Sequence, residues 1–391
     1  MNFDPYSLEL HTEPNATYQY LRDEAPLYRN DEHNFWALSR YADVRCALDD
    51  PETYSSACRI NLDPEEAEQR GAIAALPLII EMDRPRQAEL RRVVRASFTP
   101  TAIAEREAAL RQLCRDMLAE LPPAGGVDLV PLILGPLPVR AIGALLDLPG
   151  QDSARFKAWS DALVRRADPR VLDEDNMAAG MDLFQYFIEL VERRTGGDGD
   201  DIISVLARAM ASGTVGLEEL YGYCFILLVG GHETTTTLLC NCIRTFARYP
   251  DVRRRLLDDP SLIPQAIEEV FRYDSPALGM ARKLTRPVTL HGQSLDPGAR
   301  ILLVYGAANR DERAIENAEQ FDIDRGLVRH FGLGHGIHFC LGAGLARLQT
   351  RIVLEELLPR LGDYEVMGDS IERNVQVNIR SILKLPVQFG S

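Results

Sequence analysis

The chain has no surplus of positive charge, no long apolar run and no cysteine framework. Its 391 residues carry 58 acidic against 43 basic side chains, for a formal net charge of −15. That balance argues against nucleic-acid binding and against docking on an anionic membrane, both of which recruit basic patches. The most apolar run near the middle, Phe225 to Val229, ends in two glycines, a histidine and a glutamate, far short of a bilayer span. The stretch 129–148 is apolar too, but Pro131, Pro136, Pro138 and Arg140 interrupt it. Met1-Asn2-Phe3-Asp4-Pro5 shows no basic region followed by an apolar one, so no signal peptide is expected. The seven cysteines, at 46, 58, 114, 224, 240, 242 and 340, are odd in number and lack framework spacing. A reducing, cytoplasmic setting is the expectation. Linkers, repeats and low-complexity tracts are missing as well, and Gly196 to Asp200 reads as a short turn between helical stretches. One domain over 1–391 follows, and 46% hydrophobic residues suffice for a sizeable core.

What the chain does have is a single cysteine set among glycines. In Gly334-His335-Gly336-Ile337-His338-Phe339-Cys340-Leu341-Gly342, the cysteine sits in a tight loop. Downstream, Leu345, Leu348, Ile352, Leu357 and Leu358 recur near helical spacing, so a helix follows the loop. Amide N–H groups and the helix dipole there favour a thiolate, and a thiolate so held suits the axial position of a haem iron. The competing zinc reading, from His330, His335, His338 and Cys340, lacks paired Cys-x-x-Cys or His-x-x-x-His spacing. A buried, inert cysteine leaves the glycines unexplained.

Periodicity elsewhere is mostly helical. Leu110 to Leu121 and Ala154 to Leu163 read as helices, and a long helix is expected over roughly 217–248. Strand signals are few: Asn34 to Leu38, Val288 to His291, Ala299 to Val304, and a C-terminal pair near 363–367 and 380–388. The fold class is therefore mainly α with a small β region. Inside the long helix, Gly230-Gly231-His232-Glu233-Thr234-Thr235 places two glycines where each destabilises by roughly 1 kcal/mol relative to alanine. Glu269-Val270-Phe271-Arg272 sets a carboxylate and a guanidinium on one helical face.

The cysteine loop, the Gly-Gly-x-Glu-Thr-Thr segment and the Glu-x-x-Arg pair, in that relative placement, resemble the cytochrome P450 superfamily in its soluble, bacterial-type form. The resemblance runs over nearly the whole chain and implies the family's single-domain prism fold. One departure is Leu333, where the family's loop usually opens with phenylalanine. Carried over residue by residue, the resemblance makes Cys340 the metal ligand of haem b (iron protoporphyrin IX). It makes Arg91, Arg282 and His338 partners of the haem propionates, with Gln87 standing where many relatives carry histidine. Thr234 and Glu233 become the catalytic pair that handles protons for dioxygen cleavage. Glu269 and Arg272 are implied to be structural, with Gln320 at the third position of that network, a neutral residue that adds no charge. Asn309-Arg310-Asp311 resembles another family segment, expected to organise backbone turns.

The activity implied is monooxygenation: one atom of O2 enters a hydrophobic small molecule by hydroxylation or epoxidation. Substrate-pocket walls would come from 60–82, 165–185, Pro276 to Met280 and Val377 to Ile382, largely apolar, with Arg165 and Arg166 nearby. The chain has no dinucleotide fingerprint and no ferredoxin cysteine spacing, so electrons are expected from a separate ferredoxin and its NAD(P)H-dependent ferredoxin reductase. Arg91, Arg92, Arg95, Arg347 and Arg351 form the expected docking cluster. A peroxide-driven peroxygenase and a non-catalytic haem-binding protein remain as alternatives.

Overall fold

The computed structural model describes residues 1–60, 62, 76–164 and 174–390. The chain is mainly helical, with strands that are short and few. At its centre is the helix Leu217–Arg248. Every residue from Thr235 to Ile243 is buried, so all faces of that stretch are covered and it runs through the core. At its start the Gly216 N–H donates to the Glu219 carboxylate at 2.7 Å. Glu218 and Glu219 lie at the positive end of the helix dipole and Arg248 at the negative end. Arg86 also reaches Glu219, Nε to Oε1 at 2.7 Å, and so ties the helix Arg86–Val94 to this end.

The two central glycines have different reasons to be there. A Cβ on Gly231 would meet Ile142 Cδ1 at 2.5 Å, so this glycine lets the helix Pro136–Leu145 pack closely. A Cβ on Gly230 would meet only Ile226, of its own helix, at 3.9 Å. Gly230 leaves open space, whereas Gly231 is a helix–helix contact.

The other helices follow their apolar spacing. The run at 110–121 is the helix Glu107–Leu118, with Leu110, Cys114, Met117 and Leu118 buried along one side. Ser153–Val164 covers the second expected helix, and Gly196 to Asp200 separates Glu174–Arg194 from Ile202–Ala211. The helix after the cysteine loop is Ala343–Leu361, and it buries Leu345, Leu348, Ile352, Leu357 and Leu358. One hydrophobic cluster draws on residues from Leu76 to Phe389, which joins these elements in a common core.

The largest sheet has five strands. Phe35–Leu38 pairs antiparallel with Leu27–Asn30 on one side and parallel with Arg300–Leu303 on the other. Arg300–Leu303 then pairs antiparallel with Met280–Leu284, which meets Tyr54–Ser55. Arg282 stands opposite Ile301 in this register. Near the C-terminus, Glu372–Arg373 pairs with Ile382–Lys384, while Pro386–Phe389 lies between Gly125–Asp128 and Tyr364–Val366. Met280–Leu284 carries two basic residues in five and shows no alternation, so only its two sheet neighbours define it as a strand.

Between sheet and long helix, Asp274 holds a mostly buried cluster of arginines. Its carboxylate accepts Arg380 Nη1 at 2.7 Å and Arg244 Nη1 at 3.1 Å. Burial alone would raise this carboxyl, but Arg380 and Arg244 hold it down to about 2. Arg373 adds a third guanidinium, disfavoured first by burial and then by Arg244 and Arg380. Asp274→Asn therefore leaves uncompensated buried charge and should destabilise the fold by roughly 3–5 kcal/mol in chemical denaturation. The sign with pH follows from the lowered pKa. The carboxylate's contribution is complete above its ordinary value of 3.8 and is lost as pH falls through about 2. The gap in stability between wild type and Asp274→Asn should therefore shrink across that acid window. A constant gap would contradict it.

Candidate active site

The cysteine loop is closed by its own backbone. Cys340 N–H donates to Leu333 O at 2.9 Å and Gly334 N–H to Phe331 O at 2.8 Å. Gly336 adopts φ 68°, and a Cβ there would meet Leu48 O at 2.6 Å, so both conformation and space demand glycine. From the helix Arg86–Val94, Gln87 Nε2 donates to Ile337 O at 2.7 Å and Arg91 Nη2 to Phe339 O at 2.6 Å. Gln87 is thus used on the loop's main chain. Leu333 is buried in the core and wedges the start of the loop.

Cys340 is partly accessible. Burial raises its thiol, opposed by the Gly342 backbone and by the charges of Arg91 and Arg347. The anion-favouring groups expected from sequence are present, but burial outweighs them. Coordination to a metal cation removes the proton outright.

The three residues expected to meet propionates lie within electrostatic reach of one another. His338 is held down to about 4, first by burial and then by Arg282, with Arg91 adding to the effect. Its Nε2 is buried and has no hydrogen-bond partner. Arg282 is buried on its strand, where Nη1 donates to Ala281 O at 2.7 Å and its charge also acts on Tyr305. An orphaned ring nitrogen beside two guanidiniums is a place for an anionic group. A haem with its two carboxylates fits these residues.

On the long helix, Thr234 Oγ1 donates to Gly230 O at 2.6 Å, a back-bond that competes with the helical ladder beside the open space at Gly230. Glu233 is buried, and its Oε1 accepts from Gln376 and from Ser381. A cavity of about 200 Å³ lies on this side, lined by His232, Glu233, Thr236, Asp161, Ser381 and Lys384 among others. Burial lowers His232 to about 4, with Asp161 acting in the opposite sense. In the sequence, His232 has no role of its own, Gln376 is not singled out, and Ser381 falls in a C-terminal turn expected to wall the substrate pocket, not beside Glu233. Their signal is a contact between the helix and a distant C-terminal turn.

The Glu-x-x-Arg pair differs from expectation in its third member. Arg272 forks onto Glu269 at 2.7 and 2.8 Å, and both residues are buried. The additional charge comes from Arg325, whose Nε approaches Glu269 Oε1 at 3.3 Å. Gln320 contributes its backbone oxygen to Arg272, not its side chain. Asn309-Arg310-Asp311, expected to organise backbone turns, also ties distant segments together: Asn309 Oδ1 accepts Phe331 N–H at 2.7 Å and Asp311 accepts Tyr41 N–H at 2.9 Å.

A second, larger cavity of about 1100 Å³ lies over the cysteine loop, lined among others by Arg91, Arg92, Arg95, Phe339, Arg347 and Arg351. Phe339 and Leu327, also in its lining, are exposed. Arg347 and Arg351 are already paired, with Glu268 and with Glu107 and Glu355 respectively. Of the supposed substrate-pocket residues, Leu278 and Val377 belong to the core. Arg165 and Arg166, with 61 and 63–75, lie outside the described residues.

The family model described as Cytochrome P450 matches residues 177–362. The chain is 34% identical over 387 residues to putative cytochrome P450 123 of Mycobacterium tuberculosis, covering 98% of this chain and 96% of the relative. It is 36% identical over 385 residues to the vitamin D(3) 25-hydroxylase of Pseudonocardia autotrophica, covering 96% and 94%. Among solved structures, a Bacillus megaterium P450 in complex with testosterone is 31% identical with a TM-score of 0.87, over 98% of this chain and all of that one. With the cysteine loop, the glycine-bearing long helix and relatives matched end to end, the chain belongs to the cytochrome P450 family of haem-iron monooxygenases.

Proposed function

We propose that this P450 inserts one oxygen atom of O2 into a bulky hydrophobic molecule, by hydroxylation or epoxidation, on haem b ligated by Cys340. The observation that carries the O2-driven reading is the pairing of the Thr234 back-bond with the buried acid Glu233. A peroxide-driven enzyme and a passive haem carrier need neither group. When bound, the haem supplies the oxygen-activating chemistry. Arg91, Arg282 and His338 hold its carboxylates. Thr234, placed where Gly230 opens the helix, offers a hydroxyl to the reaction space. Glu233, kept in place by Gln376 and Ser381 beside a polar cavity, hands protons on. The relatives named for vitamin D(3) and solved with testosterone put rigid, polycyclic apolar molecules first among candidates.

Electrons come from a separate ferredoxin and its NAD(P)H-dependent reductase. The arginine-lined bowl over the cysteine loop supports this reading, where Arg92 and Arg95 are exposed and, like Arg84 and Arg91, have no ion pair among the described residues. The exposed Phe339 and Leu327 give the bowl apolar contact area.

The test is product formation with surrogate ferredoxin, reductase and NAD(P)H against peroxide alone, after a screen of steroid and vitamin D-type ligands for haem spin shifts. Turnover with peroxide only would favour the peroxygenase. Cys340→His should lose the red-shifted ferrous–CO band of thiolate ligation, and its survival would refute the ligand assignment. Thr234→Ala should keep the substrate-induced spin shift while diverting reducing equivalents into hydrogen peroxide. Unchanged product per NAD(P)H would exclude the proton role. Arg95→Glu should slow first-electron transfer at low salt, with the deficit shrinking as the Debye length falls from about 30 Å at 0.01 M to about 10 Å at 0.1 M. Wild-type reduction rates at low salt would place docking elsewhere.

A further inference from the structure

Glu268 precedes the structural Glu269 and points to different partners. Adjacent helical residues diverge by about 100° around the axis, so the two carboxylates serve separate networks. Glu269 faces Arg272 and Arg325. Glu268 instead takes a fork from Arg347, Nε to Oε1 at 2.6 Å and Nη2 to Oε2 at 2.8 Å. Its Oε2 also lies 3.3 Å from His330 Nε2.

These partners sit on the two flanks of the cysteine loop. His330 precedes the loop, and its Nδ1 accepts the Gly332 N–H at 3.1 Å, which leaves the proton on Nε2 to point at Glu268. The His330 ring stacks on Phe271 at 5.7 Å and 12°, while a Cβ on Gly332 would meet Phe271 O at 2.5 Å. The near flank is thereby pressed onto the helix Ile263–Tyr273 that carries Glu268. Arg347 belongs to the helix Ala343–Leu361 on the far flank, and its charge acts on Cys340. Burial would raise the Glu268 carboxyl, but Arg347 and His330 hold it down to about 2, so it is a carboxylate at neutral pH.

The geometry points to Glu268 as a positioning residue for the Cys340 ligand. It ties both flanks of the loop to one helix and sets how much of the Arg347 charge reaches the sulfur. This rests on the haem-thiolate reading above. Removing the Glu268 charge leaves Arg347 uncompensated, which favours the reduced, more negative state of the centre. Removing the Arg347 charge does the reverse.

The experiment is a charge cycle in the haem-loaded protein, read by the ferric/ferrous midpoint potential and the ferrous–CO spectrum. Glu268→Gln should shift the potential upward and Arg347→Gln downward. The double variant should return between them, and Glu268→Asp should stay near wild type. A residue that only stabilises the fold would not give shifts of opposite sign. Shifts in one direction for both single variants, or none, overturn the assignment. Should Glu268→Gln fail to fold, Arg347→Gln decides alone, and a potential at or above wild type overturns it. If the wild type itself lacks the thiolate CO band, the haem-thiolate reading has failed, whatever the variants do.

Discussion

Everything around the cysteine loop hangs on the buried guanidinium of Arg272. A guanidinium has five N–H groups, and each here has an acceptor. Two go to Glu269 and the others to the backbone oxygens of Asn309, Ala318 and Gln320. A buried ion pair adds little net stability over apolar packing, but a partner lost from one is strongly destabilising. The pair therefore works as a constraint on register. Any slip of the segment 309–320 strands a charge in the core, so that irregular stretch has essentially one way to lie. Asn309 then captures the Phe331 N–H, and the chain enters the cysteine loop already aimed.

That constraint explains how an irregular loop can be placed as firmly as a helix. The loop's carbonyls are taken by Gln87 and Arg91 from one side, and its start is buried through Leu333. Its flanks are held from the other side through Glu268. The long helix is held differently, by burial on all faces over residues 235–243 and by the ties of Arg86 to Glu219 and of Arg244 to Asp274. Its local irregularity at Gly230 and Thr234 is tolerable because the helix continues well beyond it in both directions.

The sequence disclosed what is local. The long helix runs between the residues its pattern indicated, and Gly334 and Gly336 ahead of Cys340 stand where a positive φ favours glycine. What escaped was long-range. Arg325 took the role assigned near Gln320, because a stretch with neither helical nor strand period gives no register by which to count. Arg282 was singled out as a propionate partner, but its strand was invisible, since two basic residues in five hide a segment buried by neighbours on both sides. Glu268 was given no role beside its motif neighbour, because its two partners lie far along the chain. Gly231 carried no mark separating it from Gly230, and only the position of Ile142 does so.

Charge is the last thing the fold arranges. A protein of net charge −15 nevertheless gathers unpaired arginine around the bowl over Cys340, while Arg347 and Arg351 in the same bowl are neutralised by glutamates. The pairing is selective. Of the two arginines that act on Cys340, Arg347 is balanced by Glu268, whereas Arg91, like Arg92 and Arg95 on and just after the helix Arg86–Val94, has no ion pair among the described residues. The polar cavity at Glu233 shares no lining residue with that bowl. On the proposed function, electrons and protons then reach the reaction centre through separate walls. The field that attracts an acidic donor protein falls off within a Debye length, and it need not bias the buried acid on which proton transfer depends.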